Sequence, residues 1–479
     1  MSNKEKSEKI IPQVLKGFRD YPPEEEIARQ ALIQKTRTIF EKYGYLPLQT
    51  ASLEFAETLL GPHYTSDNLK ELFGFLGPDD VNVALRYEFT VSLARYVAAN
   101  SQLPLPFRRY QYGNVWRVDK PGPGRFREFM QFDFDIVGTS SMLADAEIIA
   151  VMVETLDHLG IKNFAVRYSN RKMINGLLTY ADIPAEKETD VFRVIDKLDK
   201  QGEEAVLLEL GPGRTDSSGD KIPGLRLSPR QVELLSEFLK IALIKGDDIL
   251  LRVDKLLGDI KVSREGIEEL NQIQDYLRLM NVSEKKAGID VTVVRGLGYY
   301  TGPVYETTLL DLPDYGSVFS GGRYDNLVSR FTNNSIPAAG SSFGVDRMLA
   351  ALIALKAIET KKSTADVLVT TMDKTRMADY IQIVGRIRDA GINAELYLGD
   401  TRNLQKQLRY ADRIGIPIAV IGGSNEFETG TVTIKDLRAG REKSKGVSDR
   451  TEWLKAEQIQ MTIRREDLIT HLKKILTRE

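Results

Sequence analysis

The chain has no cysteine in its 479 residues. That excludes disulfides, thiolate nucleophiles and every metal site built on sulfur. Histidine is almost as scarce. His63, His158 and His471 are the whole complement and share no motif, so neither a histidine ligand cluster nor a histidine general base is expected, and no metal-ligand set is assigned. Long apolar runs are missing too, and none approaches the ~20 residues that cross a bilayer. The opening Met1-Ser2-Asn3-Lys4-Glu5-Lys6 mixes charges of both signs and lacks an apolar stretch. It reads as neither a secretory signal nor a transit peptide, and a cytoplasmic location without membrane contact is the expectation. The net charge is only −2, so a nucleic-acid partner must be held by local basic patches rather than by a bulk field. What is present is the composition of a soluble globular protein, 42% hydrophobic and 28% charged, in a chain long enough for two or three domains.

Periodicity organises the chain. After a charged lead-in over residues 1–16, the turn Gly17-Phe18-Arg19-Asp20-Tyr21-Pro22 precedes a helix predicted from about Glu24 to Tyr43, stopped by Gly44. Strands are predicted over 45–50, 83–88, 109–117, 127–137 and 164–168, with helices opening near Ser141 and Arg171. From about 184 to 285 the texture is helical, broken by a glycine-rich stretch, Gly211–Gly219, which we expect to be a surface loop. That stretch fails the phosphate-loop pattern because Asp220 follows its last glycine. Beyond a polar hinge at 356–364, strands alternate with helices, which predicts a small α/β domain with a mostly parallel sheet.

The segments that carry chemistry are few. Val294-Arg295-Gly296-Leu297-Gly298-Tyr299-Tyr300-Thr301-Gly302-Pro303-Val304-Tyr305-Glu306 packs an arginine, paired tyrosines and three glycines into a strand-like run. It suits a pocket holding an anion beside a small polar ring. Gln131-Phe132-Asp133-Phe134-Asp135 alternates, so Gln131, Asp133 and Asp135 share a strand face and need partners there. Arg109, Arg117, Arg125 and Arg127 lie on two strands and their connecting loop, with Phe129 close by and Arg347 far downstream. Guanidinium groups fork onto phosphate oxygens, and an aromatic ring stacks on a base. By themselves these residues describe a solvated arginine-rich hairpin equally well.

Taken together and in order, the motifs resemble those of histidyl-tRNA synthetases, which are class II aminoacyl-tRNA synthetases. Gly44-Tyr45-Leu46-Pro47 looks like motif 1. Arg117-Val118-Asp119 with Arg125-Phe126-Arg127-Glu128-Phe129 looks like motif 2, and Gly344-Val345-Asp346-Arg347 like motif 3. The run at 294–306 is similar to the second histidine signature, with Gly298 where aspartate is usual, and Gly321-Gly322-Arg323-Tyr324-Asp325 also matches. The two glycines of that last motif are expected to form a tight turn near the ligand.

The resemblance implies an α+β fold. Its catalytic domain would span 17–355, a mixed, mostly antiparallel sheet with flanking helices and a helical insertion at about 184–285, followed by an α/β anticodon-binding domain at 365–479. It implies a histidine–tRNA ligase that uses ATP with Mg²⁺, forms histidyl-adenylate, and passes the histidyl group to tRNA(His) as a homodimer. Arg295 and Arg117 would be catalytic. Glu88, Phe89, Thr90, Gln131, Asp135, Tyr299 and Tyr300 would bind L-histidine, and Arg117, Arg125, Phe129 and Arg347 would bind ATP. The basic face formed by Lys406, Arg409 and Arg413 fits RNA phosphates and an ordinary solvated helix equally. Two other readings share the fold, a histidine-binding regulatory paralogue and a tRNA-sensing protein without catalysis.

Overall fold

Two ten-residue segments build the centre of the larger unit. The strands Phe107–Trp116 and Glu128–Val137 pair antiparallel. Because side chains alternate across a strand, Tyr110, Phe132 and Phe134 go to one face, and Arg109, Gln111, Gln131, Asp133 and Asp135 to the other. The computed structural model describes residues 10–122, 126–215, 219–243, 248–293, 299–438 and 460–477. Contacts divide them into two units, one with the residues up to 20 and 31–358, the other with 21–30 and those from 359 onward.

The first unit is organised by an eight-stranded sheet. In chain order its strands are β1 (Leu46–Pro47), β2 (Phe107–Trp116), β3 (Glu128–Val137), β4 (Phe164–Asn170), β5 (Ala287–Ile289), β6 (Pro303–Leu309), β7 (Ser317–Arg323) and β8 (Ala338–Gly344). Their spatial order is β1-β2-β3-β8-β7-β6-β4-β5. The five inner pairings are antiparallel, and only the two edge pairings, β1 with β2 and β5 with β4, are parallel. The expected mixed, mostly antiparallel sheet is therefore present.

The apolar face of this sheet is aromatic. Phe40, from the helix Pro23–Lys42, lies 4.5 Å from the Phe134 ring and 4.9 Å from Phe132, and Phe319 and Phe343 continue the layer at 4.8 Å. The helix Met142–His158, capped by the Ser141 hydroxyl accepting from the Leu143 N–H, also covers this face. Its buried Asp145 pairs with Arg323 at the end of β7, and Arg108 of β2 meets Glu147 at 2.9 Å.

The other face is left to the site. The extended run expected over 294–306 becomes strand only from Pro303, and Val294–Gly298 lies outside the described residues.

The insertion is helical as expected, with Glu188–Ile195, Leu198–Leu210, Pro229–Leu243, Ile249–Leu257 and Lys261–Leu279. The last of these crosses the helix Arg171–Tyr180 closely. A Cβ on Gly176 would sit 1.7 Å from Ser263 Oγ, and one on Gly266 would sit 2.6 Å from the Met173 nitrogen. The glycine-rich stretch is not simply a loop. Gly213–Thr215 pairs with Lys221–Pro223 as a two-stranded ribbon.

In the second unit the sheet order is 394–396, 367–369, 418–421, 431–436, 460–464. The expectation of a mostly parallel sheet needs correction, since two pairings are parallel and two antiparallel. The reason is connection length. Nine residues separate Ile421 from Thr431, fewer than a parallel crossover needs, and Gly430 at φ 68° reverses the chain. The core gathers Val367, Val369, Tyr380, Ile383, Ile387, Ile418, Val420 and Ile434, closed by Leu468 and Leu472 from the helix Leu468–Leu476. No helix among the described residues is long and apolar enough to cross a membrane.

Candidate active site

The polar face of the sheet opens into a cavity of about 400 Å³ within the first unit. β3 is its floor. Phe129, Gln131, Asp133 and Asp135 take alternate positions and all line the cavity. At about 3.3 Å per residue this face runs roughly 20 Å from an aromatic ring to a carboxylate, a length suited to an extended ligand with unlike ends.

One end is acidic and buried. Asp135 is 3% exposed. Its Oδ1 accepts from the Tyr324 hydroxyl at 2.5 Å, and its Oδ2 lies 2.7 Å from Arg109. The Arg109 approach is a charge contact rather than an aligned hydrogen bond, because neither the guanidinium nitrogens nor Oδ2 has a hydrogen-bond partner among the described residues. Arg109, grouped by sequence with the phosphate-binding arginines, is instead fully buried as the counter-charge to this acidic cluster.

Glu88 is also buried, and its oxygens accept from the Thr90 and Val91 N–H groups at 2.6 and 2.7 Å. It thereby caps the helix Thr90–Ala99, where a negative charge is favoured. The Tyr299 hydroxyl reaches the same carboxylate at 3.5 Å. Burial pushes the carboxyls of Glu88 and Asp135 above their usual range, and that of Asp133 to about 7, although Arg109 opposes this for all three. Three desolvated carboxylates facing one space are costly unless a cation joins them.

Glycines make this end possible. A Cβ on Gly340 of β8 would sit 1.9 Å from Asp135 Oδ1, and one on Gly322 of β7 would sit 2.9 Å from the Tyr300 ring. The Gly321-Gly322 pair therefore does not form the expected tight turn. Both residues lie inside β7 and act by having no side chain. In the same motif Arg323 is structural, tied to Asp145 and to the Thr139 and Ser141 carbonyl oxygens, and Tyr324 is the residue that reaches the cavity.

The opposite end carries arginine. Arg117 is centred 5.1 Å over the Phe129 ring and donates from Nε to the Tyr87 carbonyl oxygen. Arg347 is exposed and donates to the Ser317 carbonyl oxygen at 2.6 Å. Its neighbour Asp346 accepts from the Met130 N–H at 3.0 Å and meets Arg19 at 3.5 Å, so the aspartate fastens the segment to β3. Phe126 and Asp119 complete the lining.

Of the residues singled out by sequence, Glu88, Thr90, Arg117, Phe129, Gln131, Asp135, Tyr299, Tyr300 and Arg347 come together around this one cavity. Phe89 does not line it. It is fully buried under the Arg86 guanidinium at 4.6 Å, and Arg86 itself binds the Thr50 and Asn114 carbonyl oxygens. Arg125, Arg295 and Gly298 lie outside the described residues. Sequence reading left Asp133, Tyr324 and Ser342 out of the site. Alternation signalled Asp133, and the motif at 321–325 contained Tyr324 without marking its role, whereas nothing local marks Ser342, which arrives through sheet pairing.

Chemically, the cavity offers acceptors for a small cation at one end and fixed positive charge beside an aromatic ring at the other. Among the described residues no group of three or more His, Asp or Glu side chains forms a metal site. Mg²⁺ held mainly by phosphate oxygens needs only one or two carboxylates, and Asp119 and Glu306 are carboxylates that line the cavity.

The family model for histidyl-tRNA synthetase matches residues 17–348, and that for the anticodon binding domain matches 366–457. A histidine–tRNA ligase of Cereibacter sphaeroides is 42% identical over 483 residues, covering 96% of this chain and 97% of that protein. The crystal structure of histidyl-tRNA synthetase from a Nostoc species superposes with a TM-score of 0.79 at 30% identity, covering 97% of this chain and all of the other. A Bacillus halodurans structure described as an ATP phosphoribosyltransferase regulatory subunit/histidyl-tRNA synthetase superposes at 0.67 with 22% identity, covering 85% of this chain and 98% of that one, a likeness of fold alone.

Proposed function

The chain belongs to the histidyl-tRNA synthetase family, and from that premise we propose how its own residues carry the reaction. It is a histidine–tRNA ligase whose substrates are histidine, ATP and tRNA. One observation supports the residue roles above all others: the buried acidic end and the arginine end lie along a single strand face of one cavity.

Histidine sits at the acidic end. Its α-ammonium is held by Glu88, Thr90 and Gln131, and its imidazole lies between Asp135 and Tyr300, with Tyr299 bracing Glu88. A pocket of this kind rejects apolar analogues by ~10⁴ or more, because they would leave its polar groups unpaired. ATP lies at the other end, its adenine against Phe129, with Arg117, Arg125 and Arg347 on its phosphates. In the first step the histidine carboxylate oxygen bonds to the α-phosphorus as the bond to pyrophosphate breaks. No side-chain nucleophile or base is needed. Arg117 and Arg295 clamp the centre where negative charge gathers. Asp119 and Glu306 would hold Mg²⁺, which would supply charge neutralisation to the pyrophosphate. In the second step a hydroxyl of the tRNA's terminal ribose attacks the histidyl carbonyl and AMP leaves.

The catalytic portion is assigned to 17–355, with the insertion at about 184–285 facing the tRNA acceptor end, and the anticodon-binding portion to 365–479. The exposed face of the helix Leu404–Ile414, with Lys406, Arg409 and Arg413 outward, supports RNA contact. A homodimer is favoured by the exposed apolar side chains of Leu46 on the edge strand β1 and of Leu53, Phe55, Phe75 and Leu76 on a three-stranded antiparallel sheet formed by Leu53–Phe55, Asn82–Leu85 and Gly74–Leu76. The protein is assigned to the cytoplasm.

The test is ATP–pyrophosphate exchange with each amino acid supplied singly and no tRNA. Exchange with histidine alone is the expected result. Binding of histidine without exchange would move the reading to the regulatory paralogue.

A further inference from the structure

Gln131 presents an anomaly that the ligase reading does not explain by itself. Its Oε1 is buried and has no hydrogen-bond partner among the described residues, yet its Nε2 is occupied, donating to Ser342 Oγ at 3.1 Å. An amide side chain can point either end at a ligand. Only the oxygen can accept from an ammonium group, and the NH₂ end would repel it.

The orientation is set two residues away. Ser342, on β8, faces Asp133 across the β3–β8 pairing, and its hydroxyl donates to Asp133 Oδ1. A hydroxyl that gives its one proton to a carboxylate keeps only lone pairs for its other neighbour. It therefore accepts, and the group it accepts from must be the Gln131 NH₂. Opposite Gln131 itself stands Gly344, which offers no side chain. Around Asp133 stand Arg109 from β2, Arg86, Asp135 from its own strand, Glu88 from the helix cap and Tyr300; Gln111, its register partner on β2, bonds to Gln49 and Thr50 instead.

We propose that Asp133, Ser342 and Gln131 form a one-way hydrogen-bond relay that holds the Gln131 oxygen toward the ligand's ammonium, making Asp133 and Ser342 positioning residues for amino-acid binding. The inference rests on the reading that Gln131 contacts the α-ammonium. It deepens that reading by naming what fixes the amide.

The experiment compares two competitive inhibitors of histidine-dependent pyrophosphate exchange. Histidinol keeps the ammonium and the imidazole, and imidazolepropionate lacks the ammonium. The variants are Ser342→Ala, Ser342→Thr, Asp133→Asn and Gln131→Ala, each checked by thermal unfolding. Ser342→Ala should weaken histidinol about tenfold, the order expected when a hydrogen bond to a charged group is misaligned, and leave imidazolepropionate unchanged. Ser342→Thr, which keeps the hydroxyl, should restore histidinol binding. Asp133→Asn, whose amide can donate back to Ser342 and reverse the chain, should reproduce the Ser342→Ala loss and stands in for that variant if it does not fold.

Equal losses for both inhibitors would mean a merely structural role and overturn the relay. So would unchanged histidinol binding in Ser342→Ala when Gln131→Ala weakens it. Unchanged binding in Gln131→Ala would overturn the ammonium contact itself, and the relay with it.

Discussion

The two ends of the cavity are built differently. At the acidic end every group is held by another: Asp135 by Tyr324 and Arg109, Glu88 by two backbone N–H groups, Gln131 by Ser342. Its carboxylates, Gln131 and Ser342 come from strand interiors and a helix cap, and its tyrosines from the segments that flank two strands. At the arginine end the groups stand at the end of β2 and the first turn of the helix Val345–Ala354, and Arg347 is exposed. The difference matches two chemical tasks. Telling one side chain from nineteen others requires donors and acceptors that cannot rearrange, so it requires burial. Gripping a triphosphate requires charge that never titrates, which arginine supplies even when wet.

The largest expected effects would break the arginine end without touching the other. Arg117→Ala and Arg295→Ala should each cut adenylate formation by about 10²–10³-fold, the scale for removing a group that meets developing charge. Histidine affinity by calorimetry and the melting temperature should barely move. Pre-steady-state quench of pyrophosphate release measures the loss. Unchanged rates in both variants would remove arginine from the catalytic account.

The converse cut falls on the acidic end and should appear first as stability. Asp135→Ala strands the fully buried Arg109 charge, at a cost of about 3–5 kcal/mol, read by urea unfolding. Gly340→Ala is milder. Its new methyl would push on the Asp135 carboxylate and cost about 1–3 kcal/mol, with a raised KM for histidine and an unchanged KM for ATP. A KM for ATP that rose equally would mean that the two ends are not separable.

Sequence disclosed the two ends unequally for the same reason. Alternation on β3 exposed Gln131, Asp133 and Asp135 as one face, because a period of two is written in neighbouring residues. Motif resemblance carried Arg117, Phe129 and Arg347. Ser342 reaches the site only through a pairing between strands some two hundred residues apart, which no local pattern encodes, and Tyr324 stood in a recognised motif whose glycines, not its tyrosine, drew the expectation. Phe89 was expected at the ligand because it adjoins Glu88 in sequence, whereas its side chain is buried in the core beneath Arg86. The second sheet was predicted as too parallel because alternating elements were read without counting the nine residues that separate Ile421 from Thr431.

The smallest expected effect concerns pH, and only the acidic end should show it. Burial raises the Asp133 carboxyl from 3.8 to about 7, with Arg109 opposing and Asp135 and Glu88 adding to the rise. In the free protein the folded state thus keeps a proton that the unfolded chain has already released. Stability from this group is greatest at the acid side of that window and falls as pH climbs from about 4 to about 7. Asp145, raised to about 6 by burial, contributes in the same direction. Ligand binding has the opposite sign. An α-ammonium beside Asp133 favours the ionised carboxylate, so histidine binding should release a proton and tighten a few-fold between pH 6 and 8. Free histidine titrates its own imidazole in that range, but equally for every variant. The difference between the native chain and Asp133→Asn isolates the carboxyl. Calorimetry in two buffers of different ionisation enthalpy should find proton release near pH 7 in the native chain and less in the variant. Arg117→Ala should keep the native pattern, because it leaves Asp133 and its neighbours in place.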